Sequence, residues 1–415
     1  MIDIQALRDN PELIKRKSNE KKVEVDIERT LKLDGEYLQV LKQVEEIRAQ
    51  KNVISAKMKN GRPEQELIDQ GKQLKTELSQ LEEALNSTKS QLDTELSRIP
   101  NPHFDDVPVG DEGEGEEISR FGDCETVGAK DHQDFATERG WLDFERGAKV
   151  AGTKFYFLKG DLALLENAIL QYATDLIVKE GFEYITVPHM VNSRTAQGAG
   201  FAPRTADQGD EYFIEGEDLT LIATSESPLT GYHADEIIDE ENLPLLYAGY
   251  SPCYRKEAGT YGKHARGLFR VHQFNKLEMY AFTLPEDSAE MHLRILAIEE
   301  KVWQAIGIPY HVVNIPSGDL GAPAAKKYDV EYWSKVDGNF RELTSCSNCT
   351  DFQTRNLNVR VRGKDGNVKL MHSLNGTVVS MARTLVAVIE HYQNDDGTLR
   401  VPEIIQKYMG GRQTI

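Results

Sequence analysis

Apolar residues in the first hundred positions repeat in the pattern of two long helices. Residues 30–58 and 67–92 each carry an apolar series at alternating spacings of three and four. Such spacings place one narrow apolar stripe along a helix, as in a coiled coil. The sequence Asn-Gly-Arg-Pro at residues 60–63 predicts a turn between the two series. We therefore predict an antiparallel coiled-coil hairpin over about residues 28–98, with helices about 40 Å long.

From residue 245 to residue 282 the pattern is that of strands. Two runs of β-branched and aromatic residues flank a Gly-rich, basic stretch at residues 258–267, which predicts two antiparallel strands joined by a long loop. Side chains alternate between the two faces of a strand. Alternation predicts that Val271, Leu277 and Met279 enter the core and that the other parity forms an open face. The residues of that predicted open face are Arg270, His272, Phe274, Lys276, Glu278 and Tyr280.

The predicted open face combines cations, a carboxylate and an aromatic ring. This combination suits a ligand that has phosphates, a base that can stack and an ammonium group. An ordinary solvated sheet face would show the same pattern, so the pattern alone leaves both interpretations open.

Two further helices are predicted after the first hundred residues. One begins near Asp161 as its N-cap and ends at Gly181, and a short strand follows at residues 182–188. The other starts at residues 285–290 and runs to about Ile306.

The length of the chain indicates more than one domain. Its 415 residues exceed the usual size of one domain, and 39% hydrophobic residues support a sizeable core. We expect an N-terminal unit at residues 1–100, a linker at residues 101–150 and a larger domain at residues 151–415. Within the linker, the acidic, Gly-rich residues 111–117 are expected to form an exposed loop.

Charge and cysteine content narrow the function classes. The net charge of -19 argues against indiscriminate adhesion to nucleic acids or membranes, so any nucleic-acid contact must use a local basic patch. Four cysteines do not make a disulfide framework, which points to the reduced cytoplasm. The N-terminus lacks the features of a signal peptide, and no run of 18 apolar residues follows. We expect a soluble, cytoplasmic protein with no membrane partner.

Two short motifs could carry chemistry, but each has a simpler explanation. Cys346 and Cys349 have a spacing found in zinc and redox sites. A zinc site would need two further ligands, and the sequence has no second Cys-x-x-Cys or paired-histidine motif, so we expect no zinc. Thr224, Ser225 and Glu226 could form no more than a helix N-cap with a capping carboxylate.

Several stretches resemble the motifs of class II aminoacyl-tRNA synthetases and, in detail, of the seryl-tRNA synthetase family. Residues 254–257 (Tyr-Arg-Lys-Glu) and residues 267–278 resemble motif 2. The predicted helix and strand that end at Pro188 are similar to motif 1, which lies at the homodimer interface in this family. Residues 374–390 resemble motif 3: a small-residue turn, an arginine and an apolar helix. The glycine usual before that arginine is Ala382 here.

The resemblance implies an α+β fold, in which an antiparallel sheet with helices forms a class II catalytic domain after the N-terminal coiled-coil hairpin. It also implies a binding site for ATP and Mg²⁺. By resemblance, Arg255 holds the α-phosphate, Arg383 takes the γ-phosphate and Phe274 stacks on the adenine. Glu257 and Val271 place the adenine. The remaining members of the implied site are Glu342 and Ser345, which would hold Mg²⁺ against the triphosphate, and the lining residues Lys256, Leu343 and Thr344.

The resemblance also implies a pocket for serine. Thr377 lies where the family recognises the serine hydroxyl. A buried group matched to that hydroxyl would reject alanine, because alanine would leave it unpaired. Glu226 and Glu278 offer carboxylates to the α-ammonium. The implied serine-binding residues are Thr224, Ser225, Glu226, Arg255, Glu278, Asn375 and Thr377.

The implied activity is ATP-dependent activation of serine to seryl-adenylate, with transfer to the 3′ end of tRNA(Ser) and also of tRNA(Sec). Attack of the serine carboxylate on the α-phosphorus builds negative charge, so catalysis is mainly positioning and electrostatics. Arg255, Arg383 and Glu342 are the implied catalytic residues, and no side chain need act as a nucleophile.

Alternatives remain for the hairpin and for the whole chain. The pattern alone favours a dimerisation zipper or a spacer for the hairpin, whereas the resemblance predicts an arm that grips the long variable arm of the tRNA by shape and backbone contacts. A related ligase that charges a carrier protein would lack this arm and would use a zinc-binding pocket. A non-catalytic tRNA-binding relative would be expected to have lost Arg255, Glu257 or Arg383, and all three are present.

Overall fold

The chain forms two compact units, Met1–Pro102 and His103–Ile415. The structure, a computed structural model, describes residues 1–58, 64–125, 128–201, 211–257 and 266–415. The turn predicted at residues 60–63 and residues 258–265 of the predicted loop lie outside these ranges. None of the helices in the described ranges is both long and apolar enough to cross a membrane.

The first unit is dominated by the helical hairpin, so that prediction is confirmed. Arg29 pairs with Glu95 at 3.5 Å and Arg48 with Glu82 at 2.8 Å, which fixes an antiparallel arrangement. With 32 and 34 residues, the helices are each about 50 Å long at 1.5 Å per residue, longer than predicted. The helices of this unit are α1 (Ile4–Asp9), α2 (Pro11–Glu20), α3 (Ile27–Met58) and α4 (Gln65–Arg98).

The hairpin has its own small core and a polar clasp at its base. Val44, Ile47 and Leu78 are buried between α3 and α4. At the base, Arg8 of the short helix α1 makes two hydrogen bonds of 2.7 Å to the carboxylate of Asp34. The apolar residues of the hairpin are therefore buried by contacts between α3 and α4.

The second unit is built on an eight-stranded sheet. The strands of the unit are β1 (Glu116–Phe121), β2 (Leu142–Asp143), β3 (Phe157–Leu158), β4 (Glu183–Thr186), β5 (Met190–Val191), β6 (Thr220–Leu221), β7 (Ile237–Asp239), β8 (Leu245–Tyr254), β9 (Gln273–Thr283), β10 (Tyr310–Asn314), β11 (Lys326–Ser334), β12 (Asn339–Asn348), β13 (Arg360–Arg362), β14 (Val368–Leu370) and β15 (His372–Ser380). The large sheet has the order β1-β10-β11-β12-β15-β9-β8-β4. Its neighbours are antiparallel except β4 and β8, which are parallel.

Helices and a small sheet cover the two faces of the large sheet. The helices of the unit are α5 (His132–Glu138), α6 (Phe144–Ala151), α7 (Gly160–Lys179), α8 (Ser193–Ala199), α9 (Glu226–Gly231), α10 (Ser288–Ile306), α11 (Phe352–Leu357), α12 (Met381–Tyr392) and α13 (Glu403–Gln406). Apolar residues of α7, α10 and α12 form the main core with one face. Residues of α8, α9, α11 and the β7-β13-β14 sheet form a second core on the other face. The antiparallel pair predicted around the long loop is β8 and β9, and the predicted α+β class is confirmed.

The open face predicted for the second strand of this pair is correct for its first half and wrong for its second half: Arg270, His272 and Phe274 are partly exposed, whereas the later residues are buried. Lys276, Glu278 and Tyr280 of β9 are as buried as Leu277 and Met279. The second core covers the face that alternation had assigned to solvent. Alternation separates the two faces of a strand but does not tell whether a second layer covers one of them.

Three local predictions also need correction. The small-residue turn that the resemblance implied ahead of Arg383 is a strand, since β15 runs to Ser380 and leads directly into α12. Glu116 and Glu117, predicted within an exposed loop, begin the edge strand β1. The helix α7 begins at Gly160, so Asp161 lies in its first turn, where it accepts a 2.6 Å hydrogen bond from Arg412. Strand pairing decides the first two cases, and local propensity does not reveal it.

We predict that Val44→Ala destabilises the first unit by about 1–3 kcal/mol, because it removes buried methyl groups from the hairpin seam. The free energy of unfolding can be followed by helical circular dichroism during urea denaturation. Val53→Ala is the matched control, since Val53 lies on the same helix with 55% of its surface exposed. Equal effects of the two variants would contradict the buried seam.

Candidate active site

A cleft opens where β8, β9, β12 and β15 meet the start of α12. Its walls combine guanidinium, ammonium and carboxylate groups with aromatic rings. The lining residues are Arg255, Glu257, Leu268, Phe269, Val271, Phe274, Lys276, Glu342, Leu343, Thr344, Ser345, Thr377, Ser380, Ala382 and Arg383.

A β-bulge places two oxygen-bearing side chains on the same side of the cleft. In the pairing of β11 with β12, the register shifts at Leu343. Residues three apart in a regular strand face opposite sides, and one extra residue restores the same side. Glu342 and Ser345 both line the cleft for this reason. The sequence showed their spacing but not the bulge.

An ion pair joins β12 to the start of α12. Arg383 Nη1 lies 2.9 Å from Glu342 Oε1, and the Arg383 guanidinium lies 5.0 Å from the centroid of the Phe269 ring. Burial alone would raise the pKa of Glu342, but the charges of Arg383 and Lys327 outweigh it and lower the pKa to about 2. Glu342 is therefore a carboxylate at neutral pH, and Arg383 is held in place beside it.

The end of β8 presents a second guanidinium. Arg255 donates to the carbonyl of Ala223 at 3.4 Å, and its guanidinium carbon lies 5.4 Å from the centroid of the Phe274 ring. Val271 forms a buried part of the wall. A flat aromatic ring, an apolar wall and a cation thus lie together, which is an arrangement that suits a nucleotide.

The two residues that follow Arg255 differ in their placement. Glu257 lines the cleft with φ of 48°, an uncommon backbone conformation for a residue with a side chain, and its carboxylate accepts a 3.2 Å hydrogen bond from Arg270. Lys256 is exposed, and its Nζ lies 5.4 Å from the centroid of the Phe213 ring. The structure therefore brings Glu257, but not Lys256, to the cleft wall.

The inner end of the cleft holds a buried polar cluster. Glu278 of β9 lies opposite Thr377 of β15, and Thr377 Oγ1 donates to Glu278 Oε2 at 3.0 Å. Lys276 Nζ lies 2.8 Å from the same oxygen. Lys276 was not among the predicted site residues, although its spacing of two from Glu278 places both on one face of the strand.

A second buried carboxylate, Glu226, lies close to this cluster. Its Oε1 accepts hydrogen bonds from Gln353 Nε2 at 2.8 Å and Asn375 Nδ2 at 3.0 Å. Burial raises the pKa of Glu226 to about 7, with a further contribution from the negative charge of Glu278. Glu226 and Glu278 thus offer carboxylate oxygens to a further cation, beside the positive charges of Lys276 and Arg255.

Gln353 is a member of this network that the sequence analysis missed. Its Oε1 accepts hydrogen bonds from the Tyr280 hydroxyl at 2.9 Å and the Ser373 hydroxyl at 2.7 Å. These two bonds fix the orientation of the amide, so its Nε2 points at Glu226. No sequence pattern links residues so far apart along the chain.

Thr224, Ser225 and Glu226 form the start of α9, in partial agreement with the N-cap interpretation of the sequence. Thr224 Oγ1 accepts the Glu226 main-chain N–H at 3.2 Å. Ser225 is fully buried, and its hydroxyl donates to the carbonyl of Gly249 at 2.8 Å. A Cβ at Gly249 would lie 2.7 Å from Ser225 Oγ, so glycine is required for this close approach of α9 to β8.

The two closely spaced cysteines are buried in the same region. Burial raises the pKa of the Cys346 thiol well above its ordinary value, which disfavours the thiolate that a metal requires. Cys349 Sγ accepts from Asn375 Nδ2 at 3.7 Å. Within the described ranges, no group of three or more His, Cys, Asp or Glu side chains is arranged to hold a metal ion. The absence of zinc stays a prediction.

Comparisons with known proteins cover both units. The family described as "tRNA synthetase class II core domain (G, H, P, S and T)" matches residues 212–392, and "Seryl-tRNA synthetase N-terminal domain" matches residues 1–103. The serine–tRNA ligase of Dictyoglomus turgidum is 43% identical over 418 residues, which cover 99% of this chain and 98% of that protein.

Solved structures agree with these matches. The crystal structure of seryl-tRNA synthetase from Pyrococcus horikoshii complexed with ATP superposes with a TM-score of 0.90 at 38% identity, covering 100% of this chain and 99% of that one. Cytoplasmic serine–tRNA ligase from Naegleria fowleri, in complex with AMP, gives a TM-score of 0.84 at 34% identity, covering 98% and 95%. These matches favour the ligase over the carrier-protein and non-catalytic alternatives. The chain therefore belongs to the seryl-tRNA synthetase family of ATP-dependent serine–tRNA ligases.

Proposed function

We propose that the cleft binds ATP and that its inner polar cluster binds serine, so that seryl-adenylate forms where the two meet. The observation that carries this proposal is the continuity of the lining. One cleft is lined by Arg255 and Arg383 and also by Thr377, whose hydroxyl reaches Glu278. A phosphate site and an amino-acid site are therefore adjacent.

For ATP, the proposed contacts follow the charges of the cleft. Arg255 holds the α-phosphate and Arg383 the γ-phosphate, since both are cations at its wall. Phe274 stacks on the adenine, which Glu257 and Val271 help to place. The residues proposed to line the rest of the nucleotide site are Leu343, Thr344 and Ser345, whereas Lys256, which lies away from the cleft wall, is left out of the proposed contacts.

For the reaction, a serine carboxylate oxygen attacks the α-phosphorus. The new P–O bond forms as the bond to the bridging oxygen breaks, and pyrophosphate leaves with that electron pair. Arg255 and Arg383 stabilise negative charge on the phosphates, and they are held in place before the substrate arrives. No side chain becomes covalently attached.

Mg²⁺ fits the residues present. Glu342 is ionised, because its pKa is lowered to about 2, and Ser345 adds a neutral oxygen on the same wall. Carboxylate and hydroxyl oxygens suit this cation, which keeps several waters and binds substrate phosphates. When bound, the ion would neutralise charge on the triphosphate. Glu342 also orients Arg383 through their ion pair.

For serine, the α-ammonium is proposed to lie between Glu226 and Glu278, and the hydroxyl to meet Thr377. Asn375 contacts Glu226 directly. Thr224 and Ser225 contribute indirectly, because their hydrogen bonds fix the start of α9, where Glu226 lies. Because Lys276 already contacts Glu278, the ammonium of serine would share that carboxylate with it.

The hairpin and motif 1 are proposed to serve tRNA binding and homodimer formation. The hairpin would hold tRNA(Ser), and also tRNA(Sec), by shape and backbone contacts, so that the 3′ end can enter the cleft. Homodimerisation through α7 and β4 is supported by the exposed apolar residues Leu164, Val178 and Tyr184 on these elements.

We predict that Thr377→Ala weakens the discrimination of serine from alanine more than it alters the KM for ATP. The loss of one hydrogen bond to a buried carboxylate costs about 1–3 kcal/mol. ATP–pyrophosphate exchange with each amino acid measures the ratio. Thr354→Ala is the control, because its buried hydroxyl donates to the Met371 carbonyl away from the cleft. Unchanged selectivity in Thr377→Ala would remove Thr377 from the pocket.

A pH dependence follows from Glu226. Burial raises its pKa to about 7, so the charged form that attracts an ammonium gains population as pH rises through neutrality. We predict that kcat/KM for serine increases from about pH 6 to about pH 8, while kcat/KM for ATP changes less. Glu226→Gln should weaken serine binding and flatten the profile. A profile that keeps its shape in Glu226→Gln would assign the titration to another group.

Shortening the hairpin tests whether it serves tRNA binding separately from the chemistry of the second unit. Residues 39–88 are deleted and the ends joined by a short Gly/Ser linker, which keeps Asp34 paired with Arg8. The helices remain in register, because Lys89 lies 6.0 Å from the Tyr37 ring centroid. We predict near-normal ATP–pyrophosphate exchange, with a sharp fall in aminoacylation and a weaker salt dependence of tRNA affinity.

Both activities and the oligomeric state of the deletion variant are to be measured on one preparation. Joint loss of exchange, aminoacylation and the dimer would mean that the hairpin stabilises the enzyme instead of binding tRNA.

A further inference from the structure

A buried carboxyl outside the cleft lies directly beneath its inner end. Glu299 belongs to α10 and has an exposure of 0%. Its neighbours on the buried face of that helix include Ile295, Val302 and Trp303. Glu299 Oε1 accepts the main-chain N–H of Thr377 at 2.9 Å. An acid in this apolar setting contacts the backbone of the residue proposed to recognise serine.

The contact occurs where regular strand pairing ends. The ladder between β12 and β15 stops at the pair Cys346 and Gly376. The register of β15 with β9 then shifts between Thr377 and Val379, which marks a β-bulge. A buried main-chain N–H needs an acceptor wherever a ladder stops. Glu299 supplies this acceptor for Thr377.

Gly376 allows α10 to come close enough for this contact. A Cβ at Gly376 would lie 2.9 Å from Glu299 Oε1 and 2.2 Å from Ile295 Cγ2. Any larger residue would push the helix away from the strand. The hydrogen bond from Thr377 to Glu299 therefore requires glycine at position 376.

Glu299 is a hydrogen-bond acceptor for the Thr377 main chain in either protonation state. Burial raises its pKa well above the ordinary value, a hydrogen bond with the Thr344 side chain acts in the opposite direction, and the negative charges of Glu278 and Asp329 raise it further. Its Oε2 is buried without a hydrogen-bond partner of normal geometry in the described part of the chain. The carboxyl group resembles the amide of glutamine in shape and in its acceptor oxygen.

We propose that Glu299 is a positioning residue for amino-acid selection: it holds the Thr377 backbone so that the Thr377 hydroxyl reaches Glu278. Thr377 Oγ1 donates to Glu278 Oε2 at 3.0 Å only while its backbone keeps this place. Small displacements of a positioning group weaken recognition strongly. This inference rests on the proposed contact of Thr377 with the serine hydroxyl.

The test compares Glu299→Gln, which keeps the acceptor, with Glu299→Met, which keeps the length and loses it. In ATP–pyrophosphate exchange, Glu299→Gln should retain kcat/KM for serine within about threefold. Glu299→Met should lose about tenfold or more, mostly through KM for serine, with a lower serine-to-alanine ratio and an unchanged KM for ATP. The exposed Glu290 of the same helix provides Glu290→Met as the control.

A double-mutant cycle distinguishes positioning from general stabilisation. If Glu299 acts through Thr377, then Glu299→Met added to Thr377→Ala should lower selectivity by less than about twofold more. Fully additive losses would overturn the proposal, as would an equal loss in Glu299→Gln and Glu299→Met. Should Glu299→Met not fold, Glu299→Asp withdraws the acceptor by one methylene with a smaller change, and normal selectivity there would also overturn it.

The outcomes also separate this inference from the proposed function. Unchanged selectivity in Thr377→Ala would reject the serine-binding role of Thr377 itself. Weakened selectivity in Thr377→Ala with normal selectivity in Glu299→Met would reject only the role of Glu299.

Discussion

The second unit depends on several charged side chains that lie on its large sheet, largely shielded from water. Moving an ion out of water costs several kcal/mol unless partners replace the water. Two ion pairs offset this cost: Glu278 with Lys276 at 2.8 Å, which is buried, and Glu342 with Arg383 at 2.9 Å, in which the Glu342 side chain keeps 40% of its surface exposed. Both ion pairs lie at the cleft. The contacts that stabilise these charges therefore also fix their positions.

Two other charges are held by neutral partners. Glu226 accepts from the amides of Gln353 and Asn375, and Arg255 donates to the carbonyl of Ala223. An amide or carbonyl orients a charge without neutralising it. The negative charge of Glu226 and the positive charge of Arg255 are therefore available to a ligand that has an ammonium at one end and phosphates at the other. Seryl-adenylate and its precursors have these groups.

The sequence indicated these residues, but not how they meet. Periodicity predicted the hairpin and the β8–β9 pair, because both are set by local spacing. It could not show that Lys276 and Glu278 are buried, since that depends on a second layer of the fold. The bulge at Leu343 likewise depends on pairing with β11, yet it alone brings Glu342 and Ser345 to one side. Glu299 and Gln353 follow from packing between distant segments, which no local pattern records.

We propose that one cleft holds the adenylate and the serine side chain together. The decisive measurement is a crystal structure with a non-hydrolysable sulfamoyl analogue of seryl-adenylate. We expect the α-ammonium within hydrogen-bond distance of Glu226 and Glu278, the serine hydroxyl at Thr377 and the sulfamoyl group at Arg255. An analogue that bound with its hydroxyl away from Thr377, or with its adenine away from Phe274, would contradict it.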